Sequence, residues 1–299
     1  MTVIDTSTSV DAFAQHPPTA ARAAADFDEP IHLIRVAGGA RGGPRPRVPH
    51  NVARFTGPAL LLALWEIASV TGVLSPSTLP APTAVFGAAR TLWQSGELQS
   101  DLWASLQRVL KGSAIGISIG TVLGVLAGLS RWGENLLDAS MQVIKAVPHF
   151  ALTGLFILWM GIGEAPKVTL IALSTMMPIY VNLYGAIRNV DRRYTEAAIT
   201  FGVRRWGLVQ HVILPGSAPG FLTGLRISLT SAWLALVFAE TINAQHGLGP
   251  MMHNAQDYYQ LDVMVLVLVL YAALGLLSYA LVRFLERRLL AWRTGFTGA

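Results

Sequence analysis

Six apolar stretches, each close to the length of a bilayer crossing, run through the chain at residues 57–74, 102–129, 139–159, 168–187, 221–239 and 263–282. A hydrocarbon core about 30 Å thick takes roughly 20 apolar residues per helix. Inside it, only helices and closed barrels satisfy every backbone polar group. Apolar runs of this length predict helices, so the expected fold is an all-α membrane protein with six transmembrane segments. Only 13% of the 299 residues are charged, against about 25% in soluble domains. Cysteine is absent, which excludes disulfides, thiolate metal sites and cysteine nucleophiles.

Residues 1–54 differ in kind. "HPPTAARAAADFDEP" and "AGGARGGPRPRVPH" are rich in Ala, Pro, Gly and Arg and lack apolar periodicity. Such a segment buries too little surface to offset its ordering entropy. It is expected as a disordered or weakly ordered tail, with "IHLIRV" at 31–36 as a possible docking island. No apolar region follows an N-terminal basic cluster, so no signal peptide is expected. The membrane domain is expected to span 55–292, followed by a short C-terminal tail at 293–299. Between the first two stretches the chain is proline-punctuated and then amphipathic, as in an interfacial helix. An even number of crossings puts both termini on one side. Arginines at 22, 35, 41, 45, 47, 54, 131, 188, 192, 193, 204, 205, 283, 287, 288 and 293 gather there, whereas 241–262 holds no lysine or arginine. The arginine-rich side is therefore expected to be cytoplasmic. Net charge is +5, but no nucleic-acid-binding module is present.

Gly112, Gly116, Gly120, Gly124 and Gly128 recur every fourth residue along the second stretch. Small residues at this spacing let another backbone approach closely in lipid. Two readings stand, packing within one subunit and packing across a moving interface. No pair of interrupted helices at matching positions in two halves is evident, which weighs against a secondary transporter.

Between the fourth and fifth stretches lies "TEAAITFGVRRWGLVQHVILPGSAP", residues 195–219. Its alanines and Glu196 suit a short helix, which Gly202 can end because glycine tolerates positive φ. Residues 206–214 suit a second short helix that Pro215 is expected to end. Two short helices meeting at a glycine make a cytosolic knob, flattened by Ala197 and Ala198 and flanked by Arg204 and Arg205. An ordinary amphipathic connector fits the same pattern.

The spacing E-A-A-x3-G-x9-I-x-L-P resembles the coupling loop of ABC importer permeases. Glu196, Ala197, Ala198, Gly202, Leu214 and Pro215 fall at its positions, with Val212 where isoleucine is usual. "LPAPTAVF", "LFILWMGIGEAPKV", "PIYVNLYGAIRNVD" and "GLGPMMHNAQDYYQLD" resemble the nitrate/sulfonate/bicarbonate branch, and its aliphatic sulfonate permeases most. The likeness covers roughly 55–292. It implies a type I importer subunit in the cytoplasmic membrane, acting as a homodimer with two ATPase subunits and an extracytoplasmic binding protein. It implies that the loop at 188–219 takes up ATPase motion through Glu196, Ala197, Ala198, Gly202, Arg204, Val212, Leu214 and Pro215. The chain has no G-x-x-x-x-G-K-[ST] phosphate loop, so ATP and Mg²⁺ are expected on the partner and no cofactor on this chain.

Ionisable and polar groups inside membrane segments are costly and point to function. Glu66 is expected in a structural or gating role, and Arg226 to snorkel to the inner surface. Lys145, Pro148 and His149 ("KAVPHF") suit a kinked gate with a cation near it. Asn182, Tyr184, Ser228 and Ser231 are further candidates to face a substrate pathway, although short hydroxyls also bridge helices. His246, Gly247, Leu248, Gly249 and Met252 lie in the long outer loop, where the resemblance implies docking of the binding protein. His246 and His253 are seven residues apart without supporting ligands, so no metal site is expected, and no catalytic set is visible. The expected function is a permease subunit for aliphatic sulfonates. Taurine, nitrate or bicarbonate are alternative substrates, and an ATP-independent channel or carrier, or a membrane scaffold, are rivals of other classes.

Overall fold

A computed structural model describes residues 50–241, 243–290 and 292, with side chains described from residue 56 onward. The expectations for 1–49, including the island at 31–36, and for 293–299 fall outside the described residues. The described chain is helical, in the order α1 (His50–Val70), α2 (Pro82–Ser95), α3 (Glu97–Leu129), α4 (Arg131–Ala146), a 3-10 turn (His149–Leu152), α5 (Thr153–Met160), α6 (Glu164–Arg188), α7 (Arg192–Thr200), α8 (Arg205–Leu208), a π turn (Val209–Ile213), α9 (Leu214–Glu240), α10 (Leu248–Asp257) and α11 (Leu261–Leu289). Helix α1 begins at His50, inside the expected tail.

Among the described residues four helical stretches are long and apolar enough to cross a membrane, α3, α6, Arg205–Glu240 and α11, whereas the expected first crossing at 57–74 is the shorter apolar helix Thr56–Val70. The stretch expected to form a third continuous crossing does not. Helix α4 and the segment His149–Met160 meet at 85°, a broken span. The break has a local cause. Pro148 has no N–H to donate and disfavours helical geometry in the residue before it. Val147 accordingly lies extended, at φ −80° and ψ 126°.

The core is α3 against α6 against α9. The glycine stripe makes the first contact possible. A Cβ on Gly112 would lie 2.6 Å from Ile171, on Gly116 2.2 Å from the Ala172 carbonyl oxygen, and on Gly120 2.5 Å from that of Met176. The stripe is thus packing within one subunit. On the other face of α6, a Cβ on Gly220 would lie 2.2 Å from Ala186 Cβ, so α9 approaches equally closely. Val109, Ile171, Ala232 and Leu236 fill this core. Leu276 and Leu277 of α11 remain exposed. Hydrocarbon around the molecule solvates such faces, which water would not.

The fifth crossing also begins differently from expectation. Pro215 does not end a short helix. The chain runs helically from Arg205 to Glu240, with Pro215 in the first turn of α9. The π turn before it provides the room, since the Leu214 N–H bonds the Val209 carbonyl five residues back. Widening of this kind lets a helix pass through a residue that cannot donate.

Two further expectations resolve into contacts. Glu66 caps α2 from outside. Its carboxylate accepts the Thr83 N–H at 3.2 Å and the Thr83 hydroxyl at 3.0 Å, where Ala81 offers no side-chain cap. Arg226 pairs with Glu286 of α11 and lies 5.4 Å from the Tyr279 ring centre, so it bridges helices rather than simply snorkelling.

Candidate functional site

The break after α4 opens a cavity of about 340 Å³ between α4, α6 and α9. Lys145 lies before the break and His149 after it, and both line the cavity. The His149 ring nitrogen Nδ1 donates to the Val147 carbonyl at 3.1 Å, which orients the imidazole. Ser174, Asn182 and Ser231 complete the polar lining, and Phe150, Met177, Val181, Ile227 and Leu234 supply an apolar wall. Phe150 stacks on Phe238 of α9, with centroids 4.1 Å apart. Four of the seven residues expected on a pathway therefore meet here, and Pro148 makes the bend that shapes the space. Two do not line it. Ser228 is buried and its hydroxyl donates to the Thr175 carbonyl at 2.6 Å, which pins α9 to α6. Tyr184 donates to Glu134 at 2.9 Å and lines a smaller adjoining cavity of about 90 Å³, with Asp138, Gln142, Tyr180 and Lys145.

The knob is well specified by local chemistry. Asp191 caps α7, its carboxylate accepting the Arg193 N–H at 2.9 Å. Gly202 has φ +79°. Its N–H bonds the Ile199 carbonyl, and the Val203 N–H bonds that of Ala198, the paired bonds of a Schellman end. Glu196, Ala197, Gly202 and Arg204 are exposed and Ala198 half-buried. Ile199, Phe201 and Trp206 beside them are exposed as well, Phe201 to 88%. Val212 and Pro215 face elsewhere, into a groove shared with Val190, Tyr194, His211 and Trp292. Leu214 is at the margin of exposure.

At the opposite end lies a buried ionic cluster that the sequence reading missed. Arg108 of α3 donates to Glu240 of α9 at 2.6 Å and reaches Glu164 of α6 through two nitrogens, at 2.6 and 2.8 Å. It also donates to the His246 carbonyl at 2.6 Å. Glu240 accepts from the Ser105 hydroxyl at 2.6 Å and from the Gly249 N–H at 2.8 Å. Asp101 takes the Gly247 N–H, Ser105 takes the Leu248 N–H, and Lys167 bridges Glu164 to the Asn243 carbonyl. The residues expected to dock a binding protein divide here. Gly247, Leu248 and Gly249 are buried and their N–H groups are bonded inward; His246 is exposed and Met252 half-buried. Ionisable residues at the ends of three apolar stretches were the available signal. Among the described residues no cluster of metal-ligating side chains occurs.

Residues 120–291 match the family model described as the binding-protein-dependent transport system inner membrane component. The chain is 45% identical over 246 residues to a protein of Escherichia coli (strain K12) named as an aliphatic sulfonates transport permease, SsuC, with 82% of this chain and 94% of that one covered. It is 33% identical over 239 residues to the taurine transport system permease protein TauC of the same strain, covering 78% and 87%. In fold it is similar to the crystal structure of an amino acid ABC transporter, at a TM-score of 0.58 and 17% identity, covering 67% of this chain and 97% of that one. With the type I importer helix arrangement, the matched model and relatives that are transport components rather than catalysts, this chain belongs to the inner-membrane permease family of binding-protein-dependent ABC importers.

Proposed function

We propose that the chain translocates aliphatic sulfonates by alternating access, as one half of a homodimeric pathway in the cytoplasmic membrane. The observation that carries this reading is the make-up of the cavity. It offers one wall of Phe150, Met177, Val181, Ile227 and Leu234, and a polar face of Lys145, His149 and Ser231. An alkyl tail suits the first and a sulfonate oxyanion the second. At about 340 Å³ it falls in the range of roughly 300–1,000 Å³ typical of small-molecule sites. No carboxylate is among its lining residues. The ammonium of taurine has no acidic partner there, which favours a plain alkanesulfonate.

On this reading the knob formed by Glu196, Ala197, Ala198, Gly202 and Arg204 docks a separate ATPase, which holds the ATP and Mg²⁺. Exposed Ile199, Phe201 and Trp206 give that contact its apolar area. A binding protein delivers substrate at the opposite end, near His246 and Met252, and both termini face the cytoplasm.

The test is reconstitution of the chain with its ATPase and binding protein in proteoliposomes. Alkanesulfonates are expected to stimulate ATP hydrolysis and uptake only when all components are present, and Lys145→Gln is expected to reduce uptake about tenfold, the value of one charge-assisted contact of roughly 1.4 kcal/mol. Stimulation by taurine or nitrate but not by alkanesulfonates overturns the substrate assignment. Flux through the chain alone overturns ATP coupling.

A further inference from the structure

Helix α4 has no buried residue. It turns off α3 at Ser130, whose hydroxyl accepts the Gly133 N–H at 3.3 Å. Gly133 presses so closely on the preceding turn that a Cβ would lie 2.3 Å from the Leu126 carbonyl oxygen. One turn into α4, Glu134 reaches across to α6. It pairs with Arg188 and accepts the Tyr184 hydroxyl at 2.9 Å. Arg188 is the last residue of α6, and Asp191, three residues on, caps α7 of the knob. Eleven residues further along α4 stands Lys145 in the cavity, followed at once by the 85° break. Beyond the break the chain packs along α6, and Phe150 stacks on Phe238 of α9.

The two halves of the broken span are thus held differently: α4 has no buried residue and reaches the root of the knob through Glu134, whereas the segment beyond the break packs along α6 and, through Phe150, against α9. A rigid helix clamped at one end and jointed at the other transmits displacement. A 16-residue helix is about 24 Å long, so a small tilt at Glu134 becomes a larger shift at Lys145. A segment with few buried apolar contacts offers little resistance to such movement.

We propose that Glu134 is a positioning residue for transport: through Arg188 and Tyr184 it makes α4 move with the knob, and so moves Lys145 relative to His149 when the knob is displaced. The proposal rests on the reading of the knob as the ATPase contact and of the cavity as the substrate site. Substrate does not touch Glu134. Its task is to keep Lys145 in step with the partner's cycle.

The test uses the assembled complex in proteoliposomes, with uptake per ATP hydrolysed as the readout. Glu134→Arg and Arg188→Glu are each expected to assemble and to hydrolyse ATP, with uptake per ATP reduced about fivefold or more, the lower end of coupling between sites. The pair Glu134→Arg with Arg188→Glu is expected to recover most of the loss, and Tyr184→Phe to give a smaller one. Because the chain has no cysteine, spin labels on Ser140→Cys of α4 and Thr200→Cys of α7 report directly on the linkage. That distance is expected to hold between nucleotide-free and ATP-bound states, and to change between them once Glu134→Gln is added. A Glu134→Gln complex whose label distance and uptake per ATP both match those of the unaltered chain overturns the proposal. Glu196→Lys on the knob separates the two failures. If it uncouples uptake while every Glu134 and Arg188 variant stays coupled, only the lever is wrong; if it too stays coupled, the knob is not the ATPase contact.

Discussion

Gly116 and Gly202 show how differently two glycines in one chain are required. At Gly202 a Cβ meets nothing within 4 Å, and the demand is the positive φ that ends α7. That demand was legible, because a glycine after a short alanine-rich segment is a helix stop. At Gly116 the backbone is ordinary helix, and the demand is space. A Cβ would lie 2.1 Å from Thr175 Oγ1 and 2.2 Å from a backbone oxygen of α6. The four-residue spacing announced close packing but not its partner, since nothing in a period names the helix opposite. Gly116→Ala is expected to force α3 from α6, at a cost of about 1–3 kcal/mol as for overpacked cores. Gly275→Ala in α11, where a Cβ meets nothing within 4 Å, serves as the comparison. It removes a mid-helix glycine and is expected to be neutral or stabilising by up to about 1 kcal/mol. Thermal unfolding of the purified chain in detergent measures both, and equal midpoints would show that the α3–α6 contact has slack.

Among the helices, hydropathy located the long ones and proline marked where they change. It did not say how. Pro148 breaks its span, whereas Pro215 sits harmlessly at a helix start behind a π turn, and Pro178 and Pro219 lie inside α6 and α9. The outcome depends on what surrounds each carbonyl that loses its donor, and that is set by tertiary contacts. For the same reason the ionic cluster stayed hidden. Arg108, Glu164 and Glu240 are 56 and 76 residues apart in succession, and only the side-by-side placement of α3, α6 and α9 brings them together. Their unequal burial makes a prediction. The Glu240 side chain is wholly buried and that of Glu164 is 59% exposed. Arg108→Met leaves a buried carboxylate without its cation, a loss expected to cost about 3–5 kcal/mol. Glu164→Gln leaves Arg108 its Glu240 partner but takes the carboxylate from buried Lys167, and is expected to cost less than Arg108→Met, about 1–3 kcal/mol. Relative yields of folded protein and unfolding midpoints check the order. A Glu164→Gln defect as large as that of Arg108→Met would mean that the cluster closes over Glu164 in the membrane.

Taken whole, the chain alternates direction through its crossings, so the knob and the Arg108 cluster stand at opposite ends of α6 and α9. The knob end carries Arg188, Arg192, Arg193, Arg204 and Arg205, with Arg283, Arg287 and Arg288 near the end of α11. The segment 241–262 at the other end has no lysine or arginine. Cationic flanks are retained on the cytoplasmic side during insertion, so the knob is expected inside and α10 outside. The absence of cysteine makes this directly measurable, because any single introduced thiol is the only one present. Thr200→Cys in α7 and Gln256→Cys in α10 are both at exposed positions. In intact spheroplasts a membrane-impermeant maleimide is expected to label Gln256→Cys and spare Thr200→Cys. In inverted membrane vesicles the preference is expected to reverse. Labelling of Thr200→Cys from outside would place the apolar surface of Ile199, Phe201 and Trp206 where no cytosolic ATPase can reach it. The coupling role of the knob, the lever through Glu134 and the direction of transport would then fall together, because all three require Glu196 and its neighbours to face the compartment that holds ATP.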